Sequence, residues 1–87
     1  MIDTNVFVLI KSIGNNGIYY NQLITKLLLY CDMYRAEAAK AFDECINNNY
    51  VEVDSDRLVT LTDLGVLAKS EYMKNEIHYL KLRSVAF

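Results

Sequence analysis

Cys31, Cys45 and His78 carry the side chains with the widest chemical repertoire: nucleophilic attack, proton transfer and metal ligation. Their placement argues against all three. The two thiols stand 14 residues apart with no second pair (45 − 31), whereas structural zinc takes four ligands, commonly in close pairs. A thiol and an imidazole can make a nucleophile and a base, but no third orienting group is recognisable. With three glycines in 87 residues there is also no phosphate-cradling loop. The chain is therefore expected not to be an enzyme and to hold neither cofactor nor metal. Both thiols are expected reduced and semi-buried, and His78 is expected at an exposed or interface position.

The remaining chemistry is recognition, for which the cations and tyrosines matter. A net charge of −2 and a pI near 5.2 oppose a strong, non-specific grip on nucleic acid or anionic membrane, leaving only a local basic patch to do such work. The apolar run Val6-Phe7-Val8-Leu9-Ile10 follows Asp3 and is interrupted at Lys11, so neither a signal peptide nor a membrane span is expected, and the location is taken as cytoplasmic. Hydrophobic residues form 53% of the chain and charged ones 23%, which places it among globular proteins. A single domain over 1–87 is the expectation, with apolar content high enough for a partner subunit to cover part of it.

Apolar spacing predicts a first helix from Asp3 to Ile13, with Asp3 or Thr4 as cap and Gly14 as terminator. A short β-rich run, Ile18-Tyr19-Tyr20, needs a later partner strand. Asn21 is the expected cap of a second helix, QLITKLLLY, and Asp32 that of a third, YRAEAAKAFDECINN, whose inward stripe reads Ala39, Phe42, Cys45 and Ile46. Asn49 suits a left-handed turn after that helix. Two alternating runs, YVEV and RLVTL, flank Asp54-Ser55-Asp56 as a β-hairpin. At Thr62-Asp63 strand must become helix, since the hydroxyl caps free amides and the carboxylate suits the positive end of the helix dipole. The last helix then runs past Leu80.

The order helix-strand-helix-helix-strand-strand-helix, mainly α with a small β-hairpin, resembles the winged-helix form of the helix-turn-helix over residues 4 to 75. Two stretches sharpen the likeness: AFDECINNNYVEV, similar to a recognition helix entering the first wing strand, and Leu61-Thr62-Asp63-Leu64-Gly65, similar to the Leu-Thr-x-x-Gly of many bacterial winged-helix regulators. The resemblance implies double-stranded DNA as partner and the third helix in the major groove. Carried onto this chain, it points to Tyr34, Arg35, Glu37, Ala38, Lys40 and Ala41 on that helix. Arg35 would suit guanine, Ala38 or Ala41 a thymine methyl, and Glu37 a cytosine. Asn21, Gln22 and Lys26 on the second helix, with Tyr34, would suit phosphates, and Arg57 is the one wing residue nominated.

Other readings of the same residues stay open. Arg, Glu and Lys on an Ala-rich helix also make an ordinary solvated face, the acidic tip Asp54-Ser55-Asp56 also makes a plain polar turn, and Tyr19, Tyr20 and Tyr50 suit sheet packing. Glu37, Asp43, Glu44 and the acidic wing equally suit a winged-helix module that contacts proteins and never touches bases. Beyond Ser70, Met73, Ile77 and Leu80 recur at intervals of 4 and 3, flanked by Tyr72 and Tyr79. The segment 63–87 is expected to contribute to a homodimer through this stripe, the alternative being that it folds back on the first helix. A two-fold dimer acting as a repressor would present two recognition helices to a pseudo-palindromic site.

Overall fold

The computed structural model describes residues 3–86, with side chains described as far as Lys74. Four helices and one antiparallel sheet follow in the order α1 (Thr4–Lys11), β1 (Ile18–Tyr19), α2 (Tyr20–Tyr30), α3 (Arg35–Asn47), β2 (Val51–Val53), β3 (Leu58–Leu61) and α4 (Asp63–Ala86). The architecture is α+β, and the element order is the one expected. Strand β3 lies centrally, pairing Val59 with Ile18 of β1 on one side and Val53 with Val59 on the other, so the sheet order is β1-β3-β2. The short β1 thus finds the later partner that two residues of strand require.

The core forms where the apolar faces of α1, α2 and α3 meet over the sheet. Leu9, Ile10, Ile13, Leu23, Leu27, Cys45 and Val59 are fully buried there, each aliphatic side chain stabilising the fold by about 2 kcal/mol through removal from water. Asp3 caps α1 as expected, its Oδ1 accepting the Asn5 amide at 2.8 Å.

Three caps and stripes depart from expectation. Helix α2 starts one residue before Asn21, with Tyr19 at its cap and no side-chain bond there, because Tyr20 leaves the strand early when its amide is taken by the Arg57 carbonyl at 2.9 Å. Helix α3 starts after Tyr34 rather than Asp32, which instead adopts a left-handed φ of 54° in the turn. Its inward face holds Ala38, Ala41, Phe42 and Cys45, while Ala39 faces solvent and Ile46 is 39% exposed. The stripe is displaced by about one residue because α3 packs chiefly against α1 and α2, and that packing sets which side faces in.

The strand-to-helix join carries the tightest packing. Thr62 Oγ1 accepts the Gly65 amide at 3.0 Å and donates to the Asn49 carbonyl, while the Thr62 amide donates to the Tyr50 carbonyl at 3.0 Å. Asn49 does take the expected left-handed conformation, φ 59°. The start of α4 is thereby tied to the end of α3.

Burial pushes the Cys45 thiol up from 9.0 to about 12, with the neighbouring Glu44 carboxylate adding to the effect. The folded protein therefore keeps this proton at a pH where the unfolded chain has released it. Its contribution is fully present below pH 9 and is lost as pH rises toward 12, at up to about 1.4 kcal/mol per pH unit. Urea unfolding should give a stability about 1 kcal/mol lower at pH 10 than at pH 8. A Cys45→Ala variant, lower in stability overall, should show a smaller difference, and an equal difference would assign the alkaline loss to other groups.

Candidate nucleic-acid interface

Helices α2 and α3 meet across the turn Cys31–Tyr34, in which the Met33 amide donates to the Leu27 carbonyl at 3.2 Å and the Met33 side chain is buried. That anchor leaves the outer faces of both helices open. Helix α2 contains no carboxylate, and Asn21, Gln22, Thr25, Lys26 and Tyr30 line one shallow depression on it. On α3 the solvent face runs Arg35, Ala36, Ala39, Lys40, Asp43 and Asn47. Its first half carries Arg35 and Lys40 with the exposed Glu37 between them, and Asp43 follows in the second half.

The nominated residues separate into three groups. Tyr34, Arg35, Lys40, Asn21 and Gln22 are exposed as a recognition surface requires, Tyr34 being 79% accessible. Ala38 and Ala41 are not, at 0% and 3% exposure. Both pack into the core, and Ala36 and Ala39 hold the outward positions assigned to them. The signal for this was available only in the phase of the helix, and four alanines spread over residues 36–41 are too evenly placed to fix it.

The third group is exposed but already engaged within the chain. Glu37 reaches back to the Tyr34 amide at 2.9 Å, closing the first turn of α3, and its other oxygen accepts from Asn5 Nδ2 at 3.5 Å. Its carboxylate serves as a cap, and a base contact is not needed to explain it. Lys26 Nζ donates to the Ser12 carbonyl at 3.2 Å, setting a cation against the negative end of α1. Arg57 leans back from the β2–β3 hairpin, its guanidinium carbon 5.6 Å from the Tyr20 ring centroid, and Tyr20 in turn meets Phe42 edge-on at 5.0 Å. The hairpin, α2 and α3 are joined through this row of side chains.

The tip of the β2–β3 hairpin is a turn built by its own acid. Asp54 Oδ1 accepts the amides of Asp56 at 2.8 Å and Leu58 at 2.9 Å, and Arg57 closes the turn at φ 65°. Of the residues nominated for a dimer interface, Tyr72 is half-buried and stacks within the chain, its ring centroid 3.7 Å from that of Phe7 at 16°. Met73 is half-buried, while Ile77, Tyr79 and Leu80, like His78, lie outside the described side chains. On the first turns of α4, Leu64 and Leu67 are 48% and 54% exposed, whereas Ala68 is buried.

Among the described residues no cluster of His, Cys, Asp or Glu is arranged to hold a metal ion, and no helix is long and apolar enough to cross a membrane. Comparison with models of known protein families, with characterised proteins and with solved structures finds no match to this chain.

Proposed function

We propose that the protein is a winged-helix module that binds double-stranded DNA sequence-specifically as a homodimeric transcriptional regulator of the repressor kind, with α3 in the major groove. The supporting observation is the pairing of an α2 outer face without carboxylates with a first half of α3 that turns Arg35, Ala36, Ala39 and Lys40 to solvent, its one acid, Glu37, being held at the Tyr34 amide. Small alanines let the helix approach base edges, Arg35 can donate in bidentate fashion to guanine, and Asn21, Gln22 and Lys26 offer donors for the adjoining phosphates. The sheet order β1-β3-β2 beside a helix pair of this kind fits a wing returning the chain to the body.

Fluorescence anisotropy with mixed-sequence duplex at about 50 and 200 mM salt tests the proposal, because phosphate contacts release counterions and weaken steeply as salt rises. Binding that falls between the two concentrations supports it. Absence of binding at the lower salt overturns it. Asp43→Asn removes the exposed α3 carboxylate that caps no backbone amide and should tighten DNA binding roughly threefold at low salt, with a smaller gain at high salt. An unchanged affinity would mean that this part of α3 stays clear of the duplex.

A second reading has its own observation. Leu29, Tyr30 and Tyr34 are 68%, 81% and 79% exposed around the α2–α3 turn, and the wing presents Glu52, Asp54 and Asp56. An aromatic knob beside an acidic wing suits a protein surface better than a phosphate backbone.

A further inference from the structure

Between the start of α1, the end of α3 and the first half of α4 runs an open groove of about 570 Å³. Leu64, Leu67 and Tyr72 line it together with the polar Asn48 and three carboxylates, Asp3, Glu44 and Glu71. Leu64 and Leu67 remain about half exposed there, which is unusual for leucines on the inner turns of a helix that begins against the body. The same chain contains a segment of complementary chemistry. Residues 77–87, IHYLKLRSVAF, combine six apolar aliphatic or aromatic side chains besides alanine with Lys81 and Arg83 and contain no acid.

We infer that this groove receives the C-terminal segment of a second copy of the chain, each protomer laying residues 77–87 into the acid-lined groove of the other. The segment cannot serve its own groove. Helix α4 lines the groove with Leu64 to Tyr72 and then continues without a break to Ala86, which carries the chain about 21 Å away from it at 1.5 Å per residue. In a two-fold exchange the apolar composition of each segment complements Leu64 and Leu67, and its two cations, Lys81 and Arg83, complement the charge of Glu44 and Glu71. Asp3 is partly committed to capping α1 and adds field more than contact. This inference rests on the homodimer in the reading above and not on DNA binding.

Charge reversal with rescue tests it, read by sedimentation equilibrium of the full chain over a concentration series without DNA. The groove variant is Glu44→Lys with Glu71→Lys, and the segment variant is Lys81→Glu with Arg83→Glu. Each alone juxtaposes like charges in both halves of the exchange and should weaken self-association on the order of 100-fold. Mixed in equal amounts, the two variants are complementary at both contacts and should form a heterodimer of near-parental affinity, which also shows that both are folded. A parent chain that sediments as a monomer throughout overturns the inference. So does a groove variant that dimerises like the parent, or a mixture that stays monomeric. Because DNA is absent, any of these results leaves the salt-dependent binding experiment untouched.

Discussion

Replacing Gly65 with alanine should lower stability by about 3 kcal/mol, visible as a melting temperature roughly 15 °C below that of the parent. A Cβ at this position would lie 2.0 Å from the Tyr50 carbonyl oxygen and 3.0 Å from its carbon. Both opposing atoms are backbone, so no rotamer change relieves the clash. Nor can the backbone drift, because Thr62 holds both sides: its amide donates to that same Tyr50 carbonyl at 3.0 Å, its hydroxyl donates to the Asn49 carbonyl, and its Oγ1 accepts the Gly65 amide at 3.0 Å. The cost arises because accommodating one methyl must move the first turn of α4 off the α3–β2 turn, breaking the cap as it goes. Gly14 is the internal comparison. Nothing lies within 4 Å of a Cβ there, and Gly14→Ala should leave stability within about 0.5 kcal/mol of the parent or raise it by reducing the freedom of the unfolded chain. Thermal unfolding of the two variants side by side decides the matter, and equal melting temperatures would refute the close-approach account of Gly65.

Arg35→Ala should cost about 1–3 kcal/mol of DNA binding, roughly 10- to 100-fold in affinity, concentrated on one base position. Arg35 stands in the first turn of α3 on the exposed side, next to the Tyr34 amide that Glu37 closes, so its backbone is held while its guanidinium faces outward. A guanidinium reading guanine loses two hydrogen bonds on truncation and leaves the base edge unpaired, whereas one resting on phosphate loses only a share of the salt dependence. Selection of preferred sites from random duplex by parent and variant separates these cases. Loss of preference at one position marks base reading, and a uniform weakening with a salt slope reduced by about 1 marks phosphate contact. Unaltered affinity and site preference would remove Arg35 from the interface and strengthen the protein-partner reading built on Leu29, Tyr30 and Tyr34. Since Arg35 is exposed and its side chain caps nothing, the substitution should leave the melting temperature within a few degrees.

The candidate site was only half legible from residue types. Tyr34, Arg35, Lys40, Asn21 and Gln22 were readable because exposed polar groups on a helix announce themselves by chemistry, whatever the phase of the helix. Ala38 and Ala41 were misassigned because alanine is equally at home inside and outside. Choosing between 38/41 and 36/39 requires knowing which side α1 and α2 occupy. Glu37, Lys26 and Arg57 were readable as charges, but their engagements with the Tyr34 amide, the Ser12 carbonyl and the Tyr20 ring depend on neighbours 3, 14 and 37 residues away (37 − 34, 26 − 12, 57 − 20).

By itself the sequence determined the number, type and order of the elements, the left-handed turn at Asn49 and the hydroxyl at Thr62 that converts strand to helix. These follow from local backbone preferences and side chains that bond within their own turn. Tertiary structure alone decided the rotation of α3, the stacking of Tyr72 on Phe7 and the exposure of Leu64 and Leu67 beside three carboxylates. It also decided why residue 65 must be glycine. Such features arise where two segments distant in the chain compete for the same space, and close packing admits only one arrangement of them.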